Sequence, residues 1–352
     1  MPGPTRYTRP LMGEAETQHY TSRRGGALLF LLWLAAFYIV WLVVVIMGDH
    51  LNAFREHWAI GVAMAAGSYF AGSTPMGGGT VGFPVLVLLF GESAAMGRDF
   101  SLAIQSIGMT SAAILIYCMR QPVERRMLKY ACVGATVGTP LGLAFLAPSV
   151  PGLHVKLIFA VTWASFGMLH FAKIGEIASA SGLASISRRF ERYSGFWTGL
   201  LAGSTIVATT GVGVDLAIYV VLVLMCRADL KIAIPTSVVL MAYTSAVGFL
   251  TQSALAHFAP QSYSLAPGLM GNWIVAAPIV ALGAPFGVVM VRLIPRKITL
   301  LIVSALCIVQ LAWTYWHERH ALTTPIITWS IVGLVALNVV FMVMHEVGKR
   351  KA

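Results

Sequence analysis

The chain has 352 residues, of which 58% are hydrophobic and only 11% charged, with a mean hydropathy of +0.79. Soluble domains carry about 25% charged residues, so this composition excludes a water-soluble globular protein. The net charge of +11 would point to nucleic acid in a soluble chain; in a membrane protein it points to basic loops on the cytoplasmic side, and no nucleic-acid partner is expected. Cys118, Cys132, Cys226 and Cys307 are scattered without a CxxC pair. Neither a metal site, a disulfide frame nor a cofactor is therefore expected.

Residues 1–26 form a polar tail containing Arg6, Arg9, Arg23 and Arg24. The apolar run 27–48 is too long for a signal-peptide core and has no evident small-residue cleavage site, so it is expected to stay as a first membrane helix. The stretch 57–91 is too long for one untilted crossing of a core roughly 30 Å thick and too short for two. AGSTPMGGGTVGFP interrupts it at residues 71–84. Ordinary spans are predicted over 99–118, 128–149 and 155–177. The anomaly then returns at 195–226, interrupted by AGSTIVATTGVGVD at 202–215. Spans over 231–251, 268–291, 298–317 and 325–347 follow, and a basic tail, 348–352, closes the chain.

Charge discriminates between a broken span and a hairpin that leaves by the side it entered. With a cytoplasmic N-terminus and two hairpins, 20 of the 24 Lys and Arg residues fall inside, and only Arg55, Arg98, Lys156 and Arg319 fall outside. A single crossing at 57–91 would instead put Arg120, Arg125, Arg126 and Lys129 outside, against the positive-inside rule. The expected fold is thus an all-α polytopic membrane protein of two inverted repeats with extra terminal helices. Each repeat, 57–177 and 195–317, is a re-entrant helical hairpin plus three transmembrane helices. Further marks of duplication are GTPLG (138–142) answering GAPFG (283–287), and Thr110-Ser111-Ala112 answering Thr244-Ser245-Ala246. Inverted repeats with broken helices recur in secondary transporters.

Irregular backbone at membrane depth survives only when buried in protein or lining a polar cavity. A half-helix that starts there presents unpaired N–H groups and a positive dipole end. Glycines allow close approach, and hydroxyls can donate. The expected binding residues are Ser73, Thr74, Gly77, Gly78, Gly79 and Thr80 in the first phrase, and Ser204, Thr205, Thr209, Thr210, Gly211 and Gly213 in the second, with Gln105 from the next span. Such a donor set suits an oxyanion. Small residues also pack helices closely in membranes, but the recurrence of one phrase in both hairpins favours a site. Asp215 is the one carboxylate well inside an apolar segment, and so is a candidate proton carrier. Its alternative role is to complement the dipole of the helix it starts. Asn272 could line the site or bond between helices, and His170 reads as structural or as a relay.

At these residues the sequence resembles the TauE/SafE family of sulfite and organosulfonate exporters, over about 57–318. The resemblance rests on the duplicated G-S-T phrases with trailing Gly-x-Gly, the Thr-Ser pairs and the G-x-P-x-G pair. It implies export of sulfite, or of a sulfonate such as sulfoacetate, across the bacterial inner membrane, with both termini cytoplasmic. Proton coupling and a homodimer stand as open alternatives. This chain departs in carrying Ala208-Thr209-Thr210 where the first phrase has Gly77-Gly78-Gly79. An intramembrane aspartyl protease would need a second carboxylate facing Asp215, and no other span interior has one, so no enzyme and no catalytic residue is expected. A passive anion channel is the main rival.

Overall fold

A computed structural model describes residues 12–74, 76–179, 182, 187–290 and 296–351. Arg6, Arg9, Arg292 and the last residue of the C-terminal tail lie outside the described residues. The described residues form helices and no strand.

In chain order the principal helices are α1 (Met12–Met47), α2 (Trp58–Ser73), α3 (Gly79–Leu89), α4 (Ala94–Cys118), α5 (Arg125–Leu141) and α6 (Gly152–Ser179). They continue with α7 (Arg188–Ala202), α8 (Val214–Met225), α9 (Leu230–Phe258), α10 (Leu269–Met290), α11 (Arg296–His317) and α12 (Thr324–Lys351). Among the described residues, eight apolar segments are long enough to cross a membrane, within α1, α4, α5, α6, α9, α10, α11 and α12. The protein is an all-α polytopic membrane protein, and these eight coincide with the ordinary spans expected from the sequence. Helix starts carry side-chain caps where the chain turns back. Ser93 accepts from Met96 N, Glu124 from Arg126 N, Ser187 from Phe190 N and Asp229 from Lys231 N. Each such cap is worth about 1 kcal/mol.

The two anomalous stretches hold the short helices. After α2 the chain leaves helical geometry at Thr74, which is extended, and turns through Gly77 at φ +66° before α3 begins. The legs then pack antiparallel. Gly78 faces Ala71, Gly67 faces Val81, and Gly82 faces Met64. In the second stretch α7 runs on through a π-helical turn (Gly203–Val207) and Ala208–Thr210, and breaks at Gly211 and Gly213, with φ of +79° and +108°. Here too α8 packs back on α7. Helices as short as α3 and α8 reach roughly 16–18 Å, about half the hydrocarbon thickness.

The packing partners exchange between the halves. α2 lies on α10 as α7 lies on α5; α3 lies on α4 as α8 lies on α9; α4 meets α10 as α9 meets α5. Glycine makes the closest of these contacts. Gly287 and Ala284 of GAPFG press on Tyr69 O and Gly72 in α2, and Gly138 and Gly142 of GTPLG press on Leu200 O and Ser204 O at the end of α7. Each G-x-P-x-G segment therefore grips the G-S-T phrase of the other half.

α1 is stapled on from outside. Trp33 Nε1 donates to Ser111 Oγ (2.7 Å), and Tyr38 donates to Pro278 O (2.7 Å). Trp41 Nε1 donates to Ile274 O (3.0 Å). Pro278 has no N–H for that carbonyl four residues back, and an orphan carbonyl in hydrocarbon is costly. Trp41 supplies the missing donor.

Candidate functional site

The two breaks meet at α4. Gln105 donates from Nε2 to Gly211 O (3.1 Å) and to Ser101 O (3.1 Å). On its other side lie the glycines of the first break. A methyl group added at Gly77 would strike Gln105 Oε1 and come within 2.8 Å of Asp215 Oδ2. One added at Gly79 would come within 2.8 Å of Gln105 Nε2 and 2.9 Å of Ser101 Cβ, and would strike Val212. Gly211 backs onto Ser101 and onto the Arg98 carbonyl. At Gly77 and Gly211 the backbone is left-handed, which costs residues with a Cβ about 1–2 kcal/mol. Glycine is required there by conformation and by space together.

Asp215 opens α8, where its Oδ1 accepts from Leu216 N (3.0 Å). Its Oδ2 has no partner, nor do Gln105 Oε1 and Ser101 Oγ, although these residues are at most 1% exposed. Buried polar atoms are nearly always paired, and an unpaired one costs about 1–3 kcal/mol. The other unpaired atoms, on Thr139, Thr244, Ser245, Gln310 and His345, are spread over α5, α9, α11 and α12. Around Gly77 and Gly79 such residues from α4 and α8 flank the same broken backbone.

α6 closes the site from behind. Phe159, Trp163, Phe166 and His170 follow one face at helical spacing. Phe83 of α3 stacks on Phe159 and Phe159 on Trp163, with centroids 4.6 and 4.2 Å apart. Trp163 Nε1 donates to Thr80 Oγ1 (3.0 Å), and its ring lies against Gly213. His170 Nε2 is paired with the Tyr219 hydroxyl (3.1 Å), one turn beyond Asp215.

The hydroxyls expected as donors are turned elsewhere. Ser73 bonds Tyr69 O, Thr74 bonds Phe70 O, and Thr80 bonds Met76 O. Ser204 and Thr205 both bond Leu201 O, Thr209 bonds Thr205 O, and Thr210 bonds Ile206 O. Away from water, the nearest acceptor for a helical Ser or Thr is the carbonyl one turn back. Ser204 and Thr205 also lie a turn or more before the break, and Thr205 is exposed, so the structure does not bring them to the meeting point. The π turn moves the second break onward to Gly211. Gly78 is at the break, yet has only Ala71 Cβ, at 3.4 Å, in the way of a side chain. Asn272 bonds Gly268 O at the start of its own helix.

Two contributors escape the phrase-based reading. Ser101 sits one turn before Gln105 on the same face, a spacing visible in the sequence. Trp163 lies on a span whose aromatic stripe reads as ordinary core. A cavity of about 320 Å³ opens between the first hairpin and α11, lined by Thr74, Met76, Thr80, Gln310 and mostly apolar side chains. Ser101, Gln105 and Asp215 do not line it.

No curated protein and no solved structure matches the chain. The family model described as sulfite exporter TauE/SafE matches residues 59–314. That segment runs from the first helix of the first hairpin through α11 and takes in both breaks, Gln105 and Asp215. The chain belongs to the TauE/SafE family of membrane transporters.

Proposed function

We propose that the protein exports a small sulfur-containing anion, sulfite or an organosulfonate such as sulfoacetate, across the bacterial inner membrane by alternating access. The observation that carries this reading is the meeting of both helix breaks at Gln105, with unpaired polar atoms on Ser101, Gln105 and Asp215. In this reading the anion sits between the first turns of α3 and α8. There the early amides and dipole ends supply positive potential, and Ser101 adds a hydroxyl. Neither hairpin carries Lys or Arg between its ends, so binding rests on dipoles and hydrogen bonds and stays weak enough for release. The two halves act as inverted repeats, with hairpins entering from opposite sides. The basic loops and the exchanged packing partners support this.

In this reading the Asp215 carboxylate sets the sign of coupling. An ionised Asp215 repels an anion, whereas a protonated one donates to it, so anion and proton bind together. Moving a dianion with one proton still carries negative charge outward, down the electrical gradient of a cell that is negative inside. A passive channel is the second reading. Burial of Ser101, Gln105 and Asp215 favours a gated site over an open pore.

The test is flux of a simple alkyl sulfonate, whose charge is constant near neutral pH, in proteoliposomes with and without a pH gradient. Asp215→Asn keeps a neutral donor, so the variant should transport at a rate independent of the gradient. Flux that remains gradient-driven in the variant rules Asp215 out as carrier. Absence of saturable flux in the unaltered protein, for sulfite and for sulfonates alike, rules out the transporter reading.

A further inference from the structure

Beside the transport site, a groove separates α1 from the face formed by α4 and α9. Its mouth is a cavity of about 920 Å³ at the α4–α5 turn, lined by Tyr117, Arg120, Gln121 and Arg125. Its inner part, about 660 Å³, is lined by Leu32, Thr110, Ile114, Ala242 and Ala246 among others. The two share Leu29, Ala113, Tyr117 and Val239, and so form one continuous groove, polar and basic at one end and apolar at the other.

Contacts at two points along α1 hold this groove apart from the core. Gly26 lies against Cys118 O, and Trp33 is hydrogen-bonded to Ser111. Between and beside these contacts, Ala113, Ala242 and Ala246 are too small to fill the gap. Among the described residues no carboxylate neutralises Arg120 or Arg125 at the mouth. Arg126 pairs with Glu191 (2.7 Å), and the Glu124 carboxylate is turned to Arg126 N and Met127 N at the start of α5. Among the described residues, neither Arg120 nor Arg125 has a carboxylate within salt-bridge distance. The turn that presents them is anchored by Glu124 N donating to Thr236 Oγ1 (2.9 Å) and by Arg120 in left-handed geometry at φ +51°.

We propose that this groove binds an anionic phospholipid, with an acyl chain between α1 and α9 and the phosphate at Arg120 and Arg125. Two guanidiniums with no carboxylate partner among the described residues, at the edge of an apolar slot, match an anionic headgroup joined to a hydrocarbon chain. A soluble phosphate would leave the slot unfilled, and a zwitterionic lipid would leave the charge unmet.

The experiment uses the full chain in detergent, stripped of lipid, with phosphatidylglycerol, phosphatidylcholine or glycerol phosphate added. Retained lipid is read by native mass spectrometry, and the unfolding midpoint by heating. Phosphatidylglycerol should be retained and should raise the midpoint, and the other two should do neither. Arg120→Gln with Arg125→Gln should weaken retention about thirtyfold, the attraction of two basic side chains to an anionic lipid. Ala113→Phe fills the slot and leaves the arginines in place, and should abolish retention, with Ala246→Phe as a second slot-filling variant. Arg188→Gln with Arg189→Gln, at a different turn, should change nothing. Equal loss in that control, or full retention in both slot-filling variants, would reduce the effect to general surface attraction and overturn the groove.

Discussion

The two helix breaks share six residues in register, yet they are built differently. In the first, α2 ends at Ser73 and the chain opens at once, with Gly77 and Gly78 before α3 starts at Gly79. In the second, the matching Ser204 is still inside a π-helical turn, and the break waits until Gly211. The first break brings no ionisable group to the meeting point; the second brings Asp215. One tip therefore provides room and the other provides charge. Gly77 shows the division most clearly, because the space its missing Cβ leaves is bordered by Gln105 and Asp215. The tip of the first break is thus a socket beside the carboxylate of the second.

Variants that erase the difference should have the largest effects. Gly77→Val and Gly211→Val each put a branched side chain on left-handed backbone, against Gln105 in one case and the Arg98 carbonyl in the other. Flux in proteoliposomes should fall at least a hundredfold in both, the scale of about 3 kcal/mol from strain and overpacking combined. Flux near the unaltered rate in either would show that the break tolerates bulk and is not a tight socket. Gln105→Leu, which keeps the shape and removes the bond that ties the second tip to α4, should have an intermediate effect. A hydrogen bond worth about 1–1.5 kcal/mol corresponds to about a tenfold drop in anion affinity, measured by titrating purified protein with sulfite. The smallest effects belong to Gly78→Ala and Thr205→Ala. Gly78 has ordinary backbone and open space, and Thr205 faces outward and bonds its own helix. Both should transport within about twofold of the unaltered chain, a difference under about 0.5 kcal/mol. A large loss in Thr205→Ala would restore that hydroxyl to the site.

The eight spans were legible because each runs far enough without charge to demand burial in hydrocarbon. The anomalous lengths of 57–91 and 195–226 were legible for the same reason. Gly211 and Gly213 were legible as part of the second tip, but how far α7 runs into that phrase was not. A π turn at Gly203–Val207 adds residues to α7 without any signal in composition, so aligning Ser204 with Ser73 misplaces the tip by about a turn and a half. Hydroxyl content also misleads, since Ser73, Thr74, Thr80 and Thr209 look like free donors in a sequence, yet each has a backbone carbonyl four residues back within reach. Ser101 carries one of the unpaired atoms and is an unremarkable serine in the sequence. Only the crossing of α4 past both tips distinguishes it.

In the proposed reading the two tips meet at one anion site, and a Cβ added at Gly79 would strike the Val212 side chain across it. The most direct measurement is the rate of oxidative cross-linking between Gly79→Cys and Val212→Cys, with Cys118, Cys132, Cys226 and Cys307 replaced by Ala. The cross-link should form in membranes, and saturating alkyl sulfonate should slow it. No cross-link, or a rate indifferent to the anion, would contradict a shared site.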